Sequence, residues 1–346
     1  MAMGFTILMT LSSFLAAYFV VDNKSESEII HLIHIVARLI SFIGLVYFLG
    51  ALVSLGLREH MDLQGGPEEV ARRVRGPLFG AANGYFILLP SIGLTLDRLT
   101  ARKSSLVIDL SALSALLLAT VGLRSRGAML SLAVFCLFST LTRRTTFTKV
   151  LWCTIAASCI TVSAFFIFSE TEAERVANLQ DIERSGTHEV AFDIICSRGL
   201  YSLVGTGYGG VWSWYLPDVE DGGAYATNRF LISTPKGEVL FNPHSVMLML
   251  VVELGVVGLL FAFKLLELPL YLVIVSWRRR YFTGLACGLV GSIPALFLDF
   301  PVFKYWPMSF FWWIYALGAL RLIGGPLGNK SAVVKPREKS VIKDTS

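Results

Sequence analysis

The first candidate for chemistry in this chain is a histidine that precedes a long apolar run. His244-Ser245 ends a long hydrophilic segment, and Gly255-Val256-Val257-Gly258 follows after nine further residues. Imidazole takes up a proton near neutral pH and is the commonest general base. His244 is therefore a candidate base at the edge of an apolar segment. Taken alone, a histidine that only caps the following helix is the simpler interpretation.

Two arginines at the end of another apolar run could bind an anion. Arg124 and Arg126 flank Ser125, directly after the apolar run 106–123. A guanidinium keeps its charge and can hold a phosphate through two parallel hydrogen bonds. A single arginine at the end of a span is commonly an interfacial anchor, but two in one turn favour an anionic headgroup or a pyrophosphate. Further candidates for the same anion are Arg184, Arg198 and Arg229.

A glycine-rich stretch, Gly205-Thr206-Gly207-Tyr208-Gly209-Gly210, lies in the same hydrophilic segment. It has neither the spacing of a dinucleotide fingerprint nor the Lys-Ser/Thr of a phosphate-binding loop. A flexible or close-packed loop is the better interpretation. The sequence also has no HExxH motif and no clustered histidine and cysteine ligands. We predict no metal, no cofactor and no nucleic-acid partner.

The elements that must position these residues are membrane spans. Of the 346 residues 54% are hydrophobic and 16% are charged, and the mean hydropathy is +0.64, whereas soluble domains carry about 25% charged residues. Apolar runs near the ~20 residues that cross ~30 Å of hydrocarbon recur throughout. We predict an all-α fold, a polytopic transmembrane helical bundle surrounded by membrane lipids. Its nine or so spans are 5–21, 30–57, 78–96, 106–123, 127–141, 150–168, 255–277, 281–298 and 305–323.

The charges predict an orientation for this bundle. Alternation of the spans places the basic clusters at 98–103, 143–149 and 278–280 on the same side as the basic tail, and such clusters favour the cytoplasm. The segment from Ser169 to Pro243 falls on the other side. It holds 11 acidic and 5 basic residues, a net charge of −6; the whole chain carries +5, so the remainder carries +11. This asymmetry is typical of a multi-pass protein of the bacterial inner membrane.

Four regions follow from these patterns. Residues 1–168 form the N-terminal membrane helices, and residues 169–254 form one large periplasmic loop that ends with the histidine motif. Residues 255–323 form the C-terminal membrane helices. Residues 324–346 form a cytoplasmic tail whose composition predicts disorder.

Taken in order, the motifs resemble those of the O-antigen ligase and O-antigen polymerase superfamily of bacterial inner-membrane proteins. Ser125-Arg126-Gly127 matches the family's Ser-Arg-Gly turn, and Gly205-Thr206-Gly207 its periplasmic Gly-x-Gly. His244-Ser245, nine residues before Gly255-Val256-Val257-Gly258, matches its histidine motif. Gly76 to Asn83-Gly84 resembles the Gly…Asn start of a span. The resemblance covers about residues 70–277.

The resemblance implies a metal-independent glycosyltransferase. Its substrates would be a glycan linked to undecaprenyl diphosphate and the sugar hydroxyl of an acceptor glycolipid or glycan, joined at the periplasmic face. Arg126 would bind the diphosphate, and His244 would act on the acceptor hydroxyl or stabilise the leaving diphosphate. A second loop arginine would assist, with Arg184 preferred to Arg229. The substrate-binding set that this implies is Arg124, Arg184, Arg229, Ser245, Gly205 and Gly207.

The chain departs from the family at two points, and other functions stay open. Ser185-Gly186-Thr187-His188 stands where the family often has an arginine beside a glycine. The family commonly has about twelve spans, so a chain with nine would lack the first three.

Ligase and repeat-unit polymerase differ only in the acceptor, so the motifs fit both. A lipid-linked glycan transporter or flippase should show broken helices and charges at mid-membrane. A non-catalytic membrane protein would instead bind other assembly proteins through its acidic periplasmic loop.

Overall fold

Nearly all the residues that the computed structural model describes are helical, which confirms the helical class of the fold. The described residues are 2–61, 84–101, 106–123, 126–142, 188–189, 191–192, 195–196, 203–205, 211–212, 231–234, 237–241, 245–298 and 306–324. Within them the helices are α1 (Ala2–Asp22), α2 (Glu26–Met61), α3 (Tyr85–Ala101), α4 (Leu106–Gly122), α5 (Arg126–Thr142), α6 (Val246–Arg279), α7 (Thr283–Gly291), α8 (Ile293–Leu298) and α9 (Trp306–Gly324).

Helices occur at eight of the nine predicted span positions. The ninth position, 150–168, lies outside the described residues, as do most of the predicted loop and nearly all of the tail. Two of the described helical segments are long and apolar enough to cross a membrane, namely Glu26–Gly50 of α2 and the whole of α6. Shorter apolar helices accompany them. The number of spans stays a prediction.

A small sheet, which we did not predict, lies in the segment between α5 and α6. Its strands are β1 (Val211–Trp212), β2 (Leu231–Thr234) and β3 (Gly237–Phe241), in the order β1-β3-β2. β3 pairs antiparallel with β2, with Thr234 opposite Gly237, and parallel with β1, with Val211 opposite Leu240. The sequence does contain a hairpin pattern here, because two short runs, 231–234 and 237–241, are separated by two residues.

One end of the bundle, which we call the basic end, holds Arg98, Arg279 and Arg321. Arg98 Nε lies 3.1 Å from the Asp109 carboxylate, which joins the end of α3 to the start of α4. Arg321 Nη1 lies 3.2 Å from Asp22 Oδ1, which joins α9 to α1. The predicted basic clusters that are described, Arg98 and 278–280, therefore lie at the same end.

The turn between α6 and α7 also lies at the basic end. Arg280 and Phe282 adopt left-handed backbone conformations there, with φ of 54° and 50°.

The helices α3 and α7 approach each other through glycine. A β-carbon on Gly93 would collide with the carbonyl oxygen of Gly284, and one on Gly288 would lie 2.6 Å from Pro90 Cα. At the start of α7 the Asp97 carboxylate of α3 accepts hydrogen bonds from the backbone amides of Gly284 (2.8 Å) and Leu285 (3.0 Å). Small residues that permit close backbone approach are typical of helix packing in membranes.

Gly93→Ala should therefore destabilise the bundle. The added methyl group meets backbone that cannot rotate away, and overpacking of this kind costs about 1–3 kcal/mol. Thermal unfolding of the purified protein in detergent measures the effect. Gly50→Ala is the matched control, because a β-carbon on Gly50 meets nothing within 4 Å and alanine is the better helix former. Equal melting temperatures for the two variants would contradict the packing described.

Helices occupy most of the predicted span 281–298, but they are interrupted at Ser292, between α7 and α8. Pro294 follows two residues later and cannot donate a backbone hydrogen bond. Ser292 Oγ donates to the carbonyl oxygen of Leu289 (2.6 Å) and accepts from Trp312 Nε1 of α9 (2.9 Å). The break is therefore buried and stabilised by hydrogen bonds to side-chain and backbone partners.

Candidate functional site at the motif end

The end of the bundle opposite the basic end is called here the motif end; it holds Tyr85, Gly127 and Leu298. Two of the sequence motifs meet there. A β-carbon on Gly127 would lie 2.6 Å from the Tyr85 hydroxyl oxygen and 3.1 Å from Leu298 Cδ1. Gly127 belongs to the Ser-Arg-Gly motif, and Tyr85 directly follows the Asn83-Gly84 motif. The start of α5, at Arg126, is therefore packed against the start of α3 and the end of α8.

The histidine motif leads into a helix that bends sharply. Within α6, Gly255 has φ 56° and ψ −131°, which interrupts the helix after nine residues. Gly258 then faces the carbonyl oxygen of Leu250 across the bend. Their spacing of three residues predicts that Gly255 and Gly258 share one face of a regular helix and permit close packing there. Close packing is confirmed, but it joins the two segments of α6, because the bend at Gly255 removes the regular helical geometry.

The glycine-rich motif packs on this bend. Gly205 has φ 78°, and a β-carbon on it would overlap the Glu253 carbonyl and lie 2.6 Å from Gly255 N. The backbone of the first motif glycine therefore touches the backbone of the helix bend fifty residues later. The interpretation of this stretch as a close-packed loop is confirmed at Gly205.

Other parts of the predicted loop pack on the first segment of α6, residues 246–254. Ala191 and Val252 are both buried and form a small apolar cluster with Ile195, Leu248 and Met249. Strand β1 also contacts α6. The loop is thus attached to the helix that follows His244 through several contacts. These contacts hold the described parts of the loop against the first segment of α6.

Ser245 is the N-cap of α6. Its backbone is extended, with φ −152° and ψ 119°, and its Oγ accepts a hydrogen bond from Leu248 N at 3.4 Å. The side chain is buried, with 3% of the residue exposed. The interpretation of His244 as the residue that caps this helix is therefore wrong, because Ser245 holds that position. His244 itself lies outside the described residues.

The contact of Gly127 with Tyr85 and the contact of Gly205 with the bend of α6 lie toward the same end of the bundle. α6 runs antiparallel to α7 and α8 and contacts both, and Thr283 Oγ1 donates to the Ser276 carbonyl oxygen at 3.5 Å. At about 1.5 Å per residue, Leu298 lies roughly 22 Å from that contact, and Gly255 lies roughly 31 Å from it in the same direction. The bend of α6 is therefore on the side of the bundle that holds Gly127.

The described residues include only part of the predicted site. Gly205 and Ser245 have the contacts given above, and Arg126 is the first residue of α5. The other predicted site residues lie outside the described residues, namely Arg124, Arg184, Gly207, Arg229 and His244. Within the described ranges, no three histidine, cysteine, aspartate or glutamate side chains lie close enough to hold a metal ion.

Two side chains near the site were not predicted. Tyr85 is buried, with 1% exposed, and its hydroxyl lies against Gly127; its position directly after the Asn83-Gly84 motif was the available signal. His188 ends the Ser185-Gly186-Thr187-His188 stretch of the predicted loop. Its Nε2 is shielded from solvent and has no hydrogen-bond partner among the residues that the structure describes. The sequence offered no signal that this nitrogen would be buried.

No family model, curated protein or solved structure matches this chain. The assignment of a function therefore depends on the motifs and on the contacts that join them.

Proposed function

We propose that this chain is an integral membrane glycosyltransferase of the O-antigen ligase type, which moves a glycan from undecaprenyl diphosphate to an acceptor hydroxyl. The observation that carries the proposal is the contact of Gly205 with Glu253 and Gly255. It joins the Gly-x-Gly motif to the histidine motif through backbone that only glycine permits. Ligase and repeat-unit polymerase share this donor chemistry, and both fit the proposal.

Exposed apolar side chains support the placement in a membrane. Phe19 of α1, Phe42 of α2 and Val107 of α4 are 66%, 66% and 71% exposed, and the outer face of α6 is largely apolar. Apolar surface of this extent is costly in water and favourable in lipid. With the basic end in the cytoplasm, the motif end faces the periplasm of the inner membrane.

The proposed chemistry uses groups at the motif end. Arg126 and a loop arginine would balance the charge of the diphosphate, which makes it a good leaving group. The oxygen of the acceptor hydroxyl would attack the anomeric carbon while the bond from that carbon to the diphosphate oxygen breaks. His244 would take the proton of the hydroxyl. The start of α6, fixed by the loop contacts, would hold the imidazole in place.

The direct test is a gel of surface polysaccharide from cells that lack the protein. Loss of long chains from the lipid A core, with accumulation of free lipid-linked polymer, is expected for a ligase. Single repeat units on the core are expected for a polymerase. An unchanged polysaccharide pattern would contradict both forms of the proposal.

Arg126→Lys should impair use of the donor although the positive charge is kept. Lysine lacks the planar fork that gives two parallel hydrogen bonds to a phosphate. A lost hydrogen bond to a charged group is worth about 1.5–3 kcal/mol, so the transfer rate should fall about 10-fold to 100-fold. Purified protein with a lipid-diphosphate glycan measures the rate. Arg321→Lys, at the basic end, is the control. Equal rates for the two variants would mean that Arg126 is only an interfacial anchor and does not bind the donor.

A flippase for the same lipid-linked glycan is the second candidate, and the break at Ser292 favours it. Broken helices are common where transporters bind their substrates, and α6 is also interrupted, at Gly255. Movement of the lipid across vesicles that hold the purified protein, with no new glycosidic bond, would support the flippase. A new glycosidic bond between donor and acceptor would support the transferase.

A further inference from the structure

Two large apolar side chains are exposed in the predicted periplasmic loop, directly before Gly205. Leu203 is 53% exposed and Val204 is 74% exposed, the largest exposed fraction of any large apolar residue in the described part of the chain. Single exposed apolar residues are common on surfaces that face water. The position of this pair therefore decides what its exposure means.

The contact of Gly205 with the bend of α6 fixes the position of the pair. A β-carbon on Gly205 would lie 2.6 Å from Gly255 N. Consecutive α-carbons are about 3.8 Å apart, so the α-carbons of Leu203 and Val204 lie within about 8 Å of that of Gly205. Both side chains therefore belong to the surroundings of the bend.

The bend of α6 lies at a depth that the basic end defines. Gly255 and Arg279 are 24 residues apart, which corresponds to roughly 36 Å along the helix at about 1.5 Å per residue. A hydrocarbon layer is ~30 Å thick, and the headgroup regions increase the total to ~40–45 Å. With Arg279 among the cytoplasmic headgroups, Gly255 lies near the boundary between acyl chains and headgroups in the periplasmic leaflet.

The first residues of α6 after the bend are also apolar and exposed. Val256 and Val257 are 43% and 66% exposed. Four exposed apolar side chains thus lie within two residues of the contact between Gly205 and Gly255, and we call them the bend patch: Leu203, Val204, Val256 and Val257. The bend patch continues into the apolar outer face of α6, which the membrane placement puts against acyl chains.

We propose that Leu203 and Val204 insert into the periplasmic leaflet and anchor the glycine-rich motif at the membrane surface. The partner is phospholipid, and apolar side chains at this boundary are typically buried about 5–10 Å into it. The proposal depends on the membrane placement given above, but not on glycan transfer.

Depth and chemistry both favour lipid as the partner of the bend patch. Its four side chains carry no charge and no hydrogen-bonding group, so acyl chains satisfy them without any specific contact. The motif that starts at Gly205 directly follows Val204. The anchor therefore holds this motif at headgroup depth, where the diphosphate of a lipid-linked glycan also lies.

Photo-cross-linking tests the contact with lipid. Benzoylphenylalanine in place of Val204, in the full-length chain in vesicles of phosphatidylethanolamine and phosphatidylglycerol, should form phospholipid adducts that peptide mass spectrometry detects. Glu189 is the matched control, because it is an exposed position of the same loop whose charge is costly in acyl chains. The yield at 204 should exceed that at 189 roughly tenfold. Equal yields, or adducts of 204 with protein alone, would overturn the proposal.

Fluorescence quenching tests the depth of the anchor without a change of charge. A fluorescent amino acid at 204 should be quenched more by nitroxide lipids labelled near the headgroup than by lipids labelled near the end of the acyl chain. The same probe at Phe263, which is exposed and roughly 12 Å further along α6 than Gly255, should show the reverse order. Absence of quenching at 204, or the same order at both positions, would refute the anchor. Neither measurement uses a glycan donor, so the result is independent of the polysaccharide gel.

Discussion

His244→Ala is expected to lose about 10²-fold to 10⁴-fold in the rate of glycan transfer, the usual contribution of a general base. The helix that follows should still form, because its N-cap is Ser245, whose Oγ accepts from Leu248 N. Transfer from a lipid-diphosphate glycan to its acceptor, followed with purified protein, measures the rate. Thermal unfolding of the same preparation should be unchanged.

The control for this variant is His31→Ala. His31 is an exposed histidine near the start of α2, at the basic end. Its removal should leave the transfer rate intact. If His244→Ala transferred glycan as fast as His31→Ala, the imidazole would have no catalytic role, although the fold and the membrane placement would stand.

Gly205→Ala and Gly255→Ala are expected to cost about 10²-fold in rate, because both disturb the backbone that holds the start of α6. Each glycine has a positive φ, of 78° and 56°, which costs other residues about 1–3 kcal/mol. At Gly205 the added methyl group would also collide with the Glu253 carbonyl. A displacement of about 1 Å at a catalytic group is enough for a loss of this size.

The measurement on these glycine variants must distinguish displacement of the catalytic group from loss of folded protein. Their rates should be compared at a temperature where circular dichroism shows both to be folded, with Gly50→Ala as the control. If the folded variants transferred glycan at the wild-type rate, the contact between Gly205 and the bend of α6 would not position the site.

The sequence predicted the local features of the site and missed those that depend on distant partners. Apolar run length located the helices, and Lys264 pairs with Glu267, as a spacing of three residues on a helix favours. The bend at Gly255 could not be predicted from the apolar run that forms α6. A glycine in a helix leaves the chain free to bend, but the bend is supported by Gly205, which is fifty residues away.

The break between α7 and α8 also depends on both local sequence and a distant partner. Gly291, Ser292 and Pro294 are each weak signals for the end of a helix, and the apolar run continues through them. The hydrogen bond from Trp312 to Ser292 Oγ (2.9 Å) comes from a helix that begins later in the chain. Local composition allows this break, whereas the tertiary contact fixes where it falls.

The contact between α3 and α7 has a consequence for the order of biosynthesis. The amides that bind Asp97 belong to residues 187 and 188 positions later in the chain. At ~5–20 residues per second on the ribosome, α3 waits on the order of 10–40 s for its neighbour to emerge. During that interval its glycine surface is open to insertion factors and proteases. Nascent chains that stop before residue 284 should therefore be degraded faster than those that extend past Gly291.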